Sequence, residues 1–162
     1  MYKQIMVPLD GSELAECVLP HLEAFINGFS INNVRLVRVI EPIKPDPRIY
    51  DNTFSDEFIR QAQKIWKDVE RQGKTSAKNY LNKVSEQLEN KGTAMHTEVL
   101  IGNVADSLAD YADSNDIDLI IMATHGYSGI KRWIMGSVAD KVFRSASVPV
   151  FMVRPTTVKG GV

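Results

Sequence analysis

The sequence predicts an α/β domain built on a parallel sheet. Four short apolar runs, rich in Val and Ile, occur at residues 5–8, 34–40, 119–122 and 148–153. Continuous apolar runs of this length are typical of strands that a parallel sheet buries on both faces. Segments with helical spacing separate the runs, and an alternation of strands and helices is typical of parallel β-α-β units with right-handed crossovers.

The first strand, residues 5–8, is followed by a predicted helix. Ser12 is a suitable N-cap for it, and apolar residues recur every three or four positions: Leu14, Val18, Leu22 and Phe25. The second strand, residues 34–40, leads through a Pro-rich connection into a helical stripe across residues 55–89. A straight helix of that length would extend about 52 Å. We therefore expect Gly73, where the apolar spacing stretches, to mark a bend or a break.

A weaker run follows at residues 95–101, where apolar and polar residues alternate, and this pattern predicts an edge strand with one solvated face. The next helix is expected to begin after Asn103, because Val104, Leu108 and Tyr111 repeat the helical period. The strand at residues 119–122 comes next. The last helix begins after Gly136 and precedes the final strand.

Length and composition indicate one ordinary domain. The 162 residues are 44% hydrophobic and 24% charged, and we expect the domain to span residues 1–156, with a short flexible tail at 157–162. Nineteen Lys and Arg against 20 Asp and Glu remove the electrostatic argument for a nucleic-acid partner. No apolar run is long enough to span a membrane. The lone Cys17 excludes an intramolecular disulfide, and together with the absence of a recognisable signal peptide it leads us to expect a cytoplasmic protein.

Glycines after the fourth strand are the strongest candidates for ligand chemistry. Gly126, Gly129 and Gly136 let the backbone approach a ligand closely, and Ser137 opens a helix whose first N–H groups attract anions. These features together can form a phosphate cradle. They can equally form a tight turn and a helix cap, and the pattern alone does not decide between the two. Neither the P-loop motif nor the dinucleotide motif G-x-G-x-x-G is present, which disfavours both of those classes.

This stretch resembles the universal stress protein family, whose ATP-binding members carry G-x2-G-x9-G-[ST]. The pattern falls here on Ala123, Gly126 and Gly136-Ser137, so alanine replaces the first glycine. The resemblance extends to the opening strand, which ends in Asp10-Gly11-Ser12, and to the element that begins at Gly102. It implies an open five-stranded parallel sheet in the order 3-2-1-4-5, with helices on both faces (Rossmann-like). Alanine adds one methyl group and disfavours positive φ, so we expect nucleotide binding to be weakened or unaffected.

The resemblance also implies an adenine-nucleotide site for ATP or AMP, with Mg²⁺ accompanying ATP. In the implied strand order, the direction in which successive strands are added to the sheet reverses between the first and fourth strands. Open α/β sheets bind ligands at such a switch point. Asp10 is expected to contact ribose or adenine, or to help hold Mg²⁺, and capping the first helix with Ser12 is its alternative role. The expected site residues are Pro8, Leu9, Asp10, Val39, Met122, Ala123, His125, Gly126, Gly129, Gly136, Ser137 and Val138.

Three functions follow from these expectations. The leading one, implied by the resemblance, is a regulatory protein of the stress response that binds an adenine nucleotide. A slow ATPase or phosphotransferase is the alternative, but no base and no arginine finger is assignable, so we expect at most weak ATP hydrolysis. A nucleotide-independent interaction protein is the third, favoured by Ala123 and disfavoured by the retained glycines. Family members pair their final strands, so the resemblance implies a homodimer through the apolar strand from Val148 to Arg154.

Overall fold

Five parallel strands form one sheet in the computed structural model, which describes residues 2–46, 48, 54–88, 92–124 and 135–155. The strands are β1 (Gln4–Pro8), β2 (Asn33–Ile40), β3 (Ala94–Ile101), β4 (Leu119–Ala123) and β5 (Val150–Val153). They lie in the order β3-β2-β1-β4-β5, and each adjacent pair is parallel. The expected order 3-2-1-4-5 is therefore confirmed.

Strand burial follows position in the sheet. The central strands β1 and β4 are covered on both faces, and β3 lies at one edge, as its alternating pattern predicts. The prediction that the last strand is buried on both faces is wrong. It begins at Val150 and leaves Phe151 38% exposed. The cause is its position at the opposite edge, where β4 is its only neighbour in the described sheet.

The helices among the described residues are α1 (Glu13–Glu16), α2 (Leu19–Gly28), α3 (Asp56–Gln87), α4 (Val104–Ser114) and α5 (Ser137–Ser145). The predicted first helix is thus divided into a single turn, α1, and the longer α2. Pro20 lies in the first turn of α2. Proline lacks the backbone N–H that would continue the α1 hydrogen bonds, but it suits the first turn of a new helix.

The third helix is continuous, so the break expected at Gly73 is not present. A Cβ atom at Gly73 would meet only Ile40 Cδ1, at 3.9 Å. The 32 residues of α3 extend for about 48 Å. Its C-terminal half packs on the sheet through Ala77, Leu81 and Val84, whereas its N-terminal half leaves large apolar side chains exposed, namely Phe58, Ile65 and Val69.

The sheet separates two apolar layers. Ile5 and Leu36 point to the layer that contains α2 and α3, and Met6 and Val37 point to the layer that contains α4 and α5. Successive strand residues alternate between the two faces, so both layers draw on the same strands. Helices on both faces are therefore confirmed. Among the described residues, no helix combines the length and the apolar character that a membrane span requires.

Candidate functional site

A crevice of about 290 Å³ opens at the carboxyl ends of β1 and β4. The direction in which successive strands are added to the sheet reverses at this point. From β1 the chain continues to β2 on one side, and from β4 it continues to β5 on the other. Open α/β sheets bind their ligands at such switch points. The volume lies just below the range of roughly 300–1,000 Å³ that is usual for small-molecule sites.

The predicted site residues that the structure describes all line this crevice: Pro8, Leu9, Asp10, Val39, Met122, Ala123, Gly136, Ser137 and Val138. They come from the end of β1, the end of β2, the end of β4 and the start of α5. His125, Gly126 and Gly129 lie outside the described residues. The contacts of all twelve with a ligand stay predictions.

Six further residues line the crevice and were not predicted: Ala15, Val37, Val104, Leu108, Thr124 and Ala139. Val37 could have been found, because it lies two positions before Val39 and therefore on the same face of the strand. Val104 and Leu108 are one helical turn apart on α4, so they share a face. Nothing in the sequence indicates that this face meets β2.

The turn after β1 is held by side-chain hydrogen bonds. Asp10 is exposed, and its Oδ1 accepts from the Ser12 backbone N–H at 2.9 Å and from the Ser12 hydroxyl at 2.6 Å. The Ser12 Oγ in turn accepts from the Ala15 N–H at 3.1 Å, which caps α1. The cap of α1 is thus Ser12, whose hydroxyl donates to Asp10, and Asp10 is itself one of the residues that line the crevice.

The N-terminus of α5 forms another part of the crevice wall. Gly136 is its N-cap and makes no side-chain capping bond. The Gly136 N–H donates to the carbonyl of Thr124 at 2.8 Å, which attaches this end of the helix to the end of β4. The first N–H groups of a helix have no partner within the helix and carry partial positive charge. Among the described residues, no side chain caps α5, so this end can accept an anionic ligand group.

The rest of the crevice is an apolar slot. Val37, Leu108 and Met122 are buried in the layer between the sheet and α4 and α5. Apolar walls with a few fixed polar groups suit a flat, mainly apolar ring that carries polar substituents. The slot therefore combines a surface for such a ring with a carboxylate from Asp10 and a helix N-terminus.

A magnesium ion fits this site only as part of a ligand. Among the described residues, no group of three or more His, Cys, Asp or Glu is arranged to hold a metal ion. Asp10 supplies the carboxylate among the described crevice residues. Mg²⁺ is commonly held by one or two carboxylates together with substrate phosphates. Asp10 can therefore serve as one ligand of an ion that a nucleotide brings.

The fold is a Rossmann-like α/β domain with a crevice at the switch point of its sheet. Residues 1–154 match the universal stress protein family. This chain therefore belongs to the universal stress protein family.

Individual relatives agree with this assignment. The chain is 30% identical over 154 residues to universal stress protein MJ0531 of Methanocaldococcus jannaschii, an alignment that covers 95% of this chain and 83% of that protein. The solved structure of MJ0577, from the same organism, matches with a TM-score of 0.78 and 26% identity, over 97% of this chain and 99% of that one.

Two solved structures of lower identity share the fold and hold nucleotides. One is a universal stress protein in complex with cAMP, with a TM-score of 0.65 and 17% identity over 96% of this chain and 98% of that one. The other is a universal stress protein family protein of Arabidopsis thaliana with AMP bound, with a TM-score of 0.55 and 14% identity over 98% and 96%.

Proposed function

We propose that this chain binds an adenine nucleotide, ATP or AMP, in the crevice between β1 and β4, and acts as a nucleotide-responsive regulatory protein in stress. The observation that carries the proposal is the N-terminus of α5, which no side chain of the described residues caps, beside an apolar slot at the switch point of the sheet. The relatives that hold cAMP and AMP support adenine nucleotides as the ligand class.

The crevice suggests a role for each part of the nucleotide. The adenine ring would pack between Val39 and Met122, and Asp10 would accept a hydrogen bond from a ribose hydroxyl. The phosphates would lie at the first turn of α5, where Ser137 can donate its hydroxyl. With ATP, the same Asp10 carboxylate could ligate Mg²⁺.

Ala123 does not oppose this proposal. It is the last residue of β4 and is in register with Val153 of β5. A residue in a strand needs no positive φ, and among the described residues the one non-glycine residue with positive φ is Asp116. Alanine in place of the glycine of the motif therefore adds only a methyl group, and Ala123 packs in the apolar layer that contains α2 and α3.

The direct experiment is to denature freshly purified protein and identify any released nucleotide by chromatography. For protein without bound nucleotide, thermal melts with millimolar ATP or AMP and Mg²⁺ test the same point. A ligand at one hundred times its Kd adds about 2.7 kcal/mol of stability. No released nucleotide and no stabilisation would overturn the proposal.

A matched pair of variants locates the ligand. Ser137→Ala removes a hydroxyl at the start of α5, and Ser145→Ala removes one at its end, where Ser145 donates to the carbonyl of Lys141 at 2.8 Å. We expect the first variant to lower the stabilisation by nucleotide and the second to leave it unchanged. Equal effects would mean that the phosphates do not lie at Ser137.

We propose binding, with catalysis as the alternative. The described crevice residues include no His, Lys or Arg, so no imidazole base and no cation for phosphoryl transfer is among them. An ATP-hydrolysis assay distinguishes the two functions. Hydrolysis that is lost in Asp10→Ala, in protein that still binds nucleotide, would establish the slow ATPase instead.

We also propose a homodimer that forms through the strand from Val148 to Arg154. The β5 strand is at the edge of the sheet and exposes Phe151, whose ring contacts Phe25 with centroids 5.4 Å apart. An apolar patch beside an open strand edge is typical of an interface. Sedimentation at micromolar protein should give twice the monomer mass, and Phe151→Asp should give the monomer. A monomeric wild-type protein would contradict this proposal.

A further inference from the structure

A polar cluster lies behind the turn after β1, on the side of the sheet away from the crevice. Val37 and Val39 line the crevice, so Arg38 between them points to the opposite face, where α3 packs. The Arg38 Cζ lies 5.4 Å from the centroid of the Tyr80 ring. The Tyr80 hydroxyl donates to Glu16 Oε1 at 2.9 Å, which links α3 to α1.

The Arg38 guanidinium packs directly against the backbone of Gly11. A Cβ atom at Gly11 would lie 3.0 Å from Nη1, 3.2 Å from Cζ and 3.3 Å from Nη2 of Arg38. Gly11 also has a φ of +88°, a conformation that side chains other than glycine rarely adopt. Only glycine therefore satisfies both the backbone conformation and the close approach of the guanidinium.

Charges around Tyr80 indicate that this cluster and Asp10 are within electrostatic reach of each other. Burial is the largest cause that raises the pKa of Tyr80, followed by the Glu16 and Asp10 carboxylates, whereas the Arg38 charge lowers it. Asp10 lines the crevice and Tyr80 belongs to α3. The cluster therefore extends from the long helix to the edge of the crevice.

We propose that Arg38 is a positioning residue for the nucleotide crevice, which supports the turn at residues 10–12 from behind and connects it through Tyr80 to α3. Arg38 is not among the residues that line the crevice, so it acts through Gly11 and Asp10. This inference rests on the proposed binding of an adenine nucleotide. It adds that contacts made by α3 bear on nucleotide affinity.

The expected effect is a loss of affinity that depends on Asp10. Arg38→Ala removes the support of Gly11 and should raise the Kd for AMP about tenfold, a size usual for residues that hold a ligating group in place. Arg38→Lys keeps the charge but loses the planar group over Tyr80, so an intermediate Kd is expected. Arg71→Ala is the matched control. Arg71 is an exposed arginine of α3 that forms an ion pair with Asp68 at 3.1 Å and does not line the crevice, so its loss should leave the Kd unchanged.

A double-mutant cycle separates positioning from general stability. In an Asp10→Ala background, Arg38→Ala should weaken AMP binding no further, because the group that it positions is absent. Titration calorimetry with AMP gives the four Kd values, and urea melts give the four stabilities. An Arg38→Ala variant that loses stability without losing affinity overturns the proposal. So does an equal loss of affinity in both backgrounds.

Amide hydrogen exchange tests the turn without any nucleotide. The Ser12 N–H donates to Asp10, so its protection reports the turn at residues 10–12. Arg38→Ala should speed its exchange at least tenfold, and Arg71→Ala should not. Unchanged exchange overturns the inference. The wild-type protein could fail to bind AMP while Arg38→Ala still speeds the exchange of the Ser12 N–H. In that case the proposed function fails and the support of the turn by Arg38 stands. Should Arg38→Ala fail to fold, Arg38→Lys carries the same measurements.

Discussion

Two separate features of the structure favour glycine at position 102. Gly102 follows β3 with a φ of +153°, and its N–H donates to the carbonyl of Ile40 at 3.0 Å. That bond joins the ends of β3 and β2, one residue beyond Val39 of the crevice. A Cβ atom at Gly102 would also lie 2.6 Å from Ser107 Oγ, closer than atoms in contact approach.

The cost of Gly102→Ala can be estimated from these two features. Holding alanine at such a φ costs about 1–3 kcal/mol. Displacing the Ser107 hydroxyl adds about 1 kcal/mol, at the low end for overpacked sites because a short side chain can rotate. We therefore expect the variant to lose about 2–4 kcal/mol of unfolding free energy.

Urea denaturation of three variants tests this estimate. Gly102→Ala with Ser107→Ala should recover the steric part, about 1 kcal/mol, and keep the backbone part. Gly73→Ala is the control, because Gly73 lies inside α3 and an added Cβ would make only an ordinary contact with Ile40 Cδ1, at 3.9 Å. It should gain about 0.5–1 kcal/mol. A Gly102→Ala variant within 0.5 kcal/mol of the wild type would refute the backbone argument, as this is the usual effect of a neutral surface change.

Three further predictions concern stability. Leu81→Ala should cost about 2–5 kcal/mol, because Leu81 is fully buried. Ile65→Ala, on the exposed half of α3, should stay within about 0.5 kcal/mol of the wild type. Similar losses in urea melts would mean that both halves of the helix pack. Ser12→Ala removes the cap of α1 and should cost about 1–2 kcal/mol by the same assay, and an unchanged midpoint would contradict its capping role. Burial and Glu16 raise the pKa of Tyr80, so the unfolded chain releases this proton at lower pH than the folded chain. Stability should therefore fall as pH rises above about 10, less steeply in Tyr80→Phe than in the wild type, and equal slopes would contradict this.

The strands could be located from the sequence because a strand that is buried on both faces has a continuous apolar run of residues. Ile5, in the central strand, and Ile120, in the strand beside it, are fully buried. The order of the strands has no such pattern, since periodicity says which face of a segment is apolar and not which segment lies beside it. The order was available only from the resemblance of the Ala123 to Ser137 stretch to a known family.

The differences between prediction and structure have separate physical causes. The apolar stripe from Leu14 to Phe25 continues across two helices because both pack on the same face of the sheet, so periodicity hides the division at Pro20. The break expected at Gly73 followed from assuming that a long helix must fold back onto the domain. In fact α3 extends past the sheet and leaves Ile65 exposed.

The candidate site was predictable where it depends on strand ends, and not where it depends on contacts between elements. Asp10 and Ala123 follow from the switch-point rule once the strand order is known. Val104 and Leu108 line the crevice only because α4 packs beside α5 and over β2. Such contacts join residues that are distant along the chain. An apolar pair on a helix predicts that its face is buried, but it does not predict which element packs against that face.

The near-neutral composition is consistent with the proposed nucleotide site. A site that held phosphates by charge would carry Lys or Arg, and the described crevice residues include neither. The α5 N-terminus instead offers N–H groups with partial positive charge, and Gly136 lets a ligand approach the backbone that carries them. Such a site depends on where the backbone is held. On the proposed function, two residues that hold this backbone therefore bear on affinity: Thr124, which lines the crevice and whose carbonyl accepts from Gly136, and Arg38, which lies behind Gly11.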